Sequence, residues 1–160
     1  MNAMTARALS LGIVVAAWTA LSHYASLPFQ LWPVIVGLAL FVAAGTGLAA
    51  LQQSVVGMAS GVVWAMIYVT VSGALGRNKL LDALVLGAVV FGAVMQARVP
   101  LLGFTAGAIA GGAVSVGVMG LRTATIQGGI RVVLMLAIGA ALGFGAEYLA
   151  GMMKTRGGKA

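Results

Sequence analysis

The sequence predicts an all-α protein, a polytopic transmembrane bundle of about six helices that could consist of two inverted three-helix halves. Of its 160 residues, 62% are hydrophobic and only 7% are charged. A soluble domain needs about 25% charged residues to cover its surface. The mean hydropathy is +1.12. Six apolar runs follow one another along the chain, and most approach the roughly 20 residues that cross a hydrocarbon core.

The six runs are expected to be helices that span the membrane, with short polar loops such as 51–53 and 121–129 between them. A cleaved signal peptide is the alternative for the first run, but the bulky His23 stands where cleavage needs a small residue. Pro100 separates the fourth run from the fifth, which indicates two spans with a tight turn. One bent helix is the alternative there. The runs cover residues 8–24, 33–51, 54–75, 80–97, 101–120 and 130–152.

One transmembrane domain is expected over residues 1–153, followed by a basic, disordered tail over 154–160. An even number of spans places both termini on one side of the membrane. The basic residues divide five to four between the two sides, which favours termini in the cytoplasm. A multi-pass protein of the bacterial inner membrane is the predicted localisation.

An internal repeat would relate the second run, which begins at Pro33, to the fifth, which follows Pro100. Both runs are glycine-rich and lead through a short polar turn to a third helix. Since each half would have three helices, the halves would be inverted, as in many channels and transporters. Shared glycine-rich composition without any repeat is the alternative.

Small residues recur at every fourth position in three of the runs, which places them on one side of each helix. Helices in lipid associate through close van der Waals contact, so such stripes are typical of helix packing. A narrow passage or a contact between subunits would use the same pattern, and the sequence does not separate these. The positions are Gly57 and Gly61, Gly103, Gly107, Gly111 and Ser115, and Gly139 and Gly143.

The chain contains two carboxylates, Asp82 and Glu147. Asp82 lies three residues after Lys79, so local pairing is expected. Glu147 continues the stripe of Gly139 and Gly143, which predicts that it faces protein, and ionisable groups in a membrane are functional candidates. Arg98 is its best predicted partner, because both residues end spans on the same side.

Trp64 lies in the middle of the third run, away from the membrane interface where tryptophan collects. Its indole N–H needs an acceptor in an apolar place. We therefore predict that Trp64 points into the bundle and donates to a carbonyl, a hydroxyl or water.

No pattern in the sequence indicates an enzyme, a cofactor, a metal site or nucleic-acid binding. There is no cysteine and one histidine, which leaves no ligand cluster of the usual kinds. The polar side chains within the runs are hydroxyls and amides, which suit a small, mostly neutral solute of unknown identity. Two functions follow: a channel or facilitator embedded in the lipid bilayer and forming a homo-oligomer, or a membrane scaffold or regulatory subunit that transports nothing.

The chain also resembles a small family of bacterial inner-membrane proteins of unknown function, found in enterobacteria and other proteobacteria. The resemblance covers roughly residues 8–150 and implies no catalytic or binding residue. Ala106–Gly107 stands where relatives often have Pro–Gly. The residues that carry the resemblance are Trp18, Trp32, 41–45, 60–65, 96–98, Gly103, Phe104, Gly107, Gly111 and 141–143.

Overall fold

The computed structural model describes residues 2–26, 28–76, 78–120 and 124–157, and side chains as far as residue 153. Within these ranges all regular structure is helical. The α-helices are α1 (Ala3–Tyr24), α2 (Leu31–Ala44), α3 (Gly47–Ala74), α4 (Lys79–Met95), α5 (Thr105–Met119) and α6 (Ile126–Gly157). Two short 3₁₀ helices, Gln96–Arg98 and Pro100–Leu102, join α4 to α5. The predicted bundle of about six helices is confirmed, and residues 80–120 form two helices rather than one bent helix.

Four of the helical segments are long and apolar enough to cross a membrane: Ala3–Tyr24, Gly47–Ala74, Lys79–Arg98 and Ile126–Met153. The other two, α2 and α5, have 14 and 15 residues. At 1.5 Å per residue they extend about 21–23 Å, which is short of a hydrocarbon core of about 30 Å. The expectation that all six apolar runs are full spans therefore does not hold for α2 and α5.

The break between α2 and α3 falls earlier than the sequence predicted. The polar residues 51–53 were expected to form the loop, but they lie inside α3, where Gln52 and Gln53 are exposed. The chain turns instead at Gly45 and Gly47, whose φ angles of 126° and 77° are positive. Glycine adopts such angles without steric cost, so backbone conformation rather than polarity decides where the helix ends.

The start of α5 is also displaced from the prediction, and so is the start of α6. Pro100 opens a 3₁₀ turn, and α5 begins only at Thr105, which leaves Gly103 outside the helix. The helix α6 begins at Ile126 rather than at residue 130, and the Thr125 hydroxyl accepts a hydrogen bond from the Gly128 N–H at 3.1 Å. A threonine in this place satisfies one of the free N–H groups of a helix start.

At its far end α6 continues to Gly157, beyond the domain end expected at residue 153. The rest of the predicted tail, 158–160, lies outside the described residues. Of the nine basic residues counted for the membrane topology, three lie outside the described residues: Arg77, Arg122 and Lys159.

The long helices α3 and α6 run antiparallel through the centre of the bundle. At one end the Met66 sulfur lies 2.9 Å from where a Cβ on Gly129 would be. At the other end Gly47 of α3 contacts Glu147 of α6. Each long helix packs most extensively on the short helix of the opposite half: α3 on α5, and α6 on α2. The outer helices follow the same scheme, with α4 on α3 and α1 on α6.

The α3–α5 crossing brings two backbones into direct contact. A Cβ on Gly61 would overlap the Ala108 carbonyl oxygen and lie 2.8 Å from the Gly112 nitrogen. In the opposite direction, a Cβ on Gly111 would overlap the Met58 carbonyl oxygen and lie 2.9 Å from its Cα. Only glycine fits at Gly61 and Gly111, because real Cβ atoms essentially never come that close to backbone.

The α6–α2 crossing repeats this arrangement atom for atom. A Cβ on Gly139 would overlap the Val34 carbonyl oxygen and lie 2.8 Å from the Leu38 nitrogen. A Cβ on Gly37 would overlap the Leu136 carbonyl oxygen and lie 2.9 Å from its carbonyl carbon. The sequence spacing between the contact residues is the same in both crossings. Since the matching long helices are antiparallel, the two halves form an inverted repeat, one of the two alternatives that the sequence left open.

In each half, the start of the short helix lies beside the middle part of a long helix. Phe104, just before α5, packs on Gly57, which is ten residues after the start of α3 at Gly47. Gln96, just after α4, hydrogen-bonds to Ser60, one turn farther along α3. In the other half, the first turn of α2 reaches Gly139 near the middle of α6. The α4–α5 turn and the first turn of α2 therefore both lie well inside the length of the bundle.

The glycine crossings predict a sharp contrast between glycine-to-alanine substitutions. Gly111→Ala and Gly37→Ala should each lower the free energy of unfolding by about 1–3 kcal/mol, because the added methyl group separates two backbones. Gly87→Ala, at an open position on α4, should have no such cost, since alanine is the better helix former. Thermal unfolding in detergent checks this. Equal melting temperatures for the Gly111 and Gly87 variants would contradict the crossing.

Candidate functional site

Three uncharged polar side chains form a hydrogen-bonded cluster where the α4–α5 turn meets α3. The Trp64 indole N–H donates to the Gln96 side-chain oxygen at 2.8 Å, and the Gln96 amide nitrogen donates to the Ser60 hydroxyl at 2.8 Å. The Ser60 hydroxyl in turn donates to the Gly57 carbonyl at 2.7 Å. The sequence prediction that Trp64 points inward and donates to a carbonyl is confirmed, with the side-chain carbonyl of Gln96 as acceptor.

The positions of these side chains follow from local sequence. Ser60 and Trp64 are one turn apart on α3, so they share a face. Gln96 lies just after α4, where the approach to Pro100 ends the regular helix. Gly92 makes room for the indole, since a Cβ there would lie 2.9 Å from the Trp64 Cζ3 atom. Within an apolar bundle, pairing of this kind avoids the cost of an unsatisfied polar group.

A cleft of about 390 Å³ lies beside the cluster, between α3, α4 and α5. Trp64 and Tyr68 supply its aromatic wall, and aliphatic side chains supply most of the rest. Leu86 and Val90 line it and are also among the exposed residues of α4, so the cleft opens sideways between α4 and its neighbours. The remaining lining residues are Ala65, Val89, Ala93, Ala108, Ile109, Gly112, Ala113 and Val116.

The helix α4 is attached to α3 by polar contacts at both ends of this cleft. At one end lies the Ser60–Gln96–Trp64 cluster. At the other end the Ser72 hydroxyl donates a hydrogen bond to the Asp82 carboxylate. Of the described residues in α4, Ala93 alone is buried. The helix is therefore fixed at its two ends and loosely packed along the middle.

Glu147 lies in a different place, at the start of α3. One of its carboxylate oxygens accepts a hydrogen bond from the Gly47 N–H at 2.9 Å. A carboxylate at a helix N-terminus is stabilised by the free N–H groups and by the helix dipole. The preferred partner predicted from sequence, Arg98, was wrong: Arg98 is exposed on the 3₁₀ turn. The error follows from the placement of α3, whose start at Gly47 brings free N–H groups to Glu147.

The predicted small residues divide between the two crossings, with one exception. Gly57, Gly61, Gly107 and Gly111 lie between α3 and α5, where Gly107 also makes room for the Phe104 ring.

Gly139 and Gly143 lie between α6 and α2, and Gly143 faces the ring of Phe41. Ser115 is fully buried and donates to the Gly111 carbonyl at 2.7 Å. The exception is Gly103, which lies before α5 and takes no part in the crossing.

Several residues of the site were not singled out from the sequence. The glycines of the second crossing include Gly37, which is isolated in an apolar run and gives no four-residue pattern. Gly112 and Gly92 likewise have no other glycine four residues away. The bond between Gln96 and Ser60 joins residues 36 positions apart, and no local spacing reveals it. A glutamine near the end of a long apolar run is the one signal that could have indicated an inward-facing amide.

A family model, DUF1097, described as a protein of unknown function, matches residues 8–151. The chain belongs to the DUF1097 family. This confirms the resemblance to an uncharacterised family over nearly the same residues as the sequence analysis gave. Comparisons with curated proteins and with solved structures gave no match.

The cluster predicts coupling between Trp64 and Gln96. Gln96→Leu leaves the indole N–H without its acceptor, which should cost about 1–3 kcal/mol. Trp64→Phe removes the donor. In a double-mutant cycle, the Trp64→Phe/Gln96→Leu protein should be more stable than the sum of the single effects predicts, by at least about 0.5 kcal/mol. Unfolding in detergent measures this, and strict additivity would show that the hydrogen bond does not form.

Proposed function

We propose that this DUF1097 protein is a channel or facilitator for a small, mostly neutral solute. The observation that carries the proposal is the uncharged Ser60–Gln96–Trp64 cluster beside a cleft, at the level where a hairpin turn ends inside the bundle. Inverted repeats with interrupted helices are a recurrent plan of transporters, whose sites lie at the level of the interruption. Non-helical backbone at such depth occurs where protein or a cavity surrounds it.

The chemistry of the cleft favours a neutral solute. Its lining contains no charged residue, and a charge without a partner is costly in a membrane. The indole and phenol of Trp64 and Tyr68 offer aromatic surface, and the Tyr68 hydroxyl can donate or accept a hydrogen bond within the cleft. A small molecule with one or two hydrogen-bonding groups suits this combination.

The proposal includes further elements. The protein acts without enzymatic chemistry and without a cofactor, and it forms homo-oligomers in the bacterial inner membrane. Both termini lie in the cytoplasm. Two re-entrant hairpins support a shared side for the termini: if only α3 and α6 cross completely, each hairpin returns to the side from which it enters.

A membrane scaffold or regulatory subunit is the second candidate function, and one observation favours it. The outer face of α1 carries small residues at every fourth position, all exposed: Ala8, Gly12, Ala16 and Ala20. A Cβ on Gly12 would meet nothing within 4 Å. Such a face can receive a helix of another membrane protein.

Flux measurements in proteoliposomes test the primary proposal. Stopped-flow uptake of water, urea and glycerol should exceed that of protein-free liposomes for at least one of them. Ala113→Phe, which fills the cleft, should reduce this flux at least about tenfold, as expected when about 1.4 kcal/mol is added to a barrier. Ala88→Phe is the matched control, because Ala88 is exposed on α4 and does not line the cleft. Its flux should equal that of the wild type.

Two results would contradict the proposal. One is the absence of any flux above the protein-free level with folded protein. The other is equal flux through the Ala113→Phe and Ala88→Phe proteins, which would exclude the cleft as the path. The first result would leave the scaffold function as the better account.

A further inference from the structure

A second groove, of about 290 Å³, lies between the long helices α3 and α6, away from the cleft beside α4. Gly129 forms part of its floor, where α6 comes close to Met66 and Val62 of α3. Every lining residue is apolar: Ala59, Val62, Val63, Met66, Ile126, Gly129, Ile130, Val133 and Leu134. The groove has no group that could hold a polar solute or a row of waters.

The groove is continuous with the surface that the protein presents to lipid. Val63 on one wall is 56% exposed, and Ile130 and Leu134 on the other wall are 56% and 49% exposed. In a membrane this surface contacts hydrocarbon. A flexible acyl chain can fill an apolar groove that is open on this side, whereas water would lose hydrogen bonds there.

A cation borders the groove near the start of α6. Arg131 is exposed, does not line the groove itself, and lies on the flank of α6 next to the face of Leu134, which does. It is five residues from the helix start at Ile126, about 7.5 Å along the axis. A long arginine side chain can extend from such a position to the membrane interface.

Among the described residues, Arg131 has no acidic partner. The chain has two carboxylates in all. Asp82 is bound to Ser72, and Glu147 is bound to the start of α3. The formal net charge of +7 also leaves the protein with more cations than it can neutralise. An anion that binds Arg131 would therefore come from outside the chain.

We infer that the groove between α3 and α6 binds an anionic phospholipid, with one acyl chain along the groove and the headgroup phosphate on Arg131. Arginine binds phosphate through charge-assisted, frequently bidentate hydrogen bonds. Basic residues beside apolar inter-helix surfaces are a known mode of recognition of anionic lipid headgroups. The inference is independent of transport, since it uses neither the cleft nor the polar cluster beside α4.

Thermal unfolding in a neutral detergent tests the site. Phosphatidylglycerol added to the wild type should raise the melting temperature more than phosphatidylcholine with the same acyl chains. Inorganic phosphate alone should have no effect. Arg131→Gln should increase the phosphatidylglycerol concentration for half of the maximal shift about tenfold, as expected for the loss of one strong charge-assisted bond. Lys79→Gln, an exposed base away from the groove, is the matched control and should behave like the wild type.

The position of the acyl chain needs its own variants. Val63→Phe and Leu134→Phe fill the groove from opposite walls and leave Arg131 in place. Either should weaken the phosphatidylglycerol effect, and two variants are used so that a folding defect in one does not decide the result. Equal shifts with the two lipids in the wild type, an unchanged response of Arg131→Gln, or a full shift with phosphate alone would overturn the inference. So would an unchanged response of both groove-filling variants.

Discussion

The direct contact between helix backbones at the two crossings determines the rest of this structure. Gly61 and Gly139 let each long helix approach the backbone of a short helix from the other half. Because lipid is as apolar as the side chains, close contact rather than hydrophobic burial holds such helices together. A side chain at either glycine would separate the pair. The identical geometry of the crossings also relates the two halves by an inverted repeat, and thereby sets where the hairpin turns lie.

The depth of the α4–α5 turn determines which polar groups lie inside the bundle. A turn at the end of a long helix would sit at the membrane surface, where water satisfies its backbone. The α4–α5 turn instead meets α3 at Ser60, near the middle of that helix. Polar groups at this level need partners within the protein, and the Ser60–Gln96–Trp64 cluster supplies some of them. The same position brings an uncharged polar cluster next to a cleft, which is what a path for a neutral solute requires.

Sequence alone predicted much of this fold, because long apolar runs and four-residue glycine spacing are local signals. The helices and the glycine contacts of α5 follow from these signals. The hydrogen bond from the Trp64 indole to a carbonyl oxygen follows from the position of Trp64 in the middle of an apolar run. The failures share one cause. The break at Gly45, the exclusion of Gly103 and the hydrogen bond from the Gly47 N–H to Glu147 depend on where a helix starts or ends. A positive φ or a proline sets that point within a few residues, without changing the hydropathy of the run.

Other features could not be read from any segment because they join distant parts of the chain. The close approach of Gly37 to Leu136 and the hydrogen bond from Gln96 to Ser60 each join residues that are far apart in the sequence. The similarity between the amino-acid sequences of the two halves is also weak. What the halves share is the position of backbone contacts, and several of the residues at those contacts differ in type, as Met58 and Leu136 do.

The depth of the α4–α5 turn is the central claim, and the chain's lack of cysteine allows a direct measurement. Val99→Cys and Thr46→Cys each place one exposed thiol in the α4–α5 and α2–α3 turns. A membrane-impermeant maleimide applied to oriented proteoliposomes should label Thr46→Cys rapidly from one side. It should label Val99→Cys far more slowly from either side, although both react readily in detergent. Labelling of Val99→Cys as fast as Thr46→Cys from the same side would place the turn at the membrane surface and contradict the account.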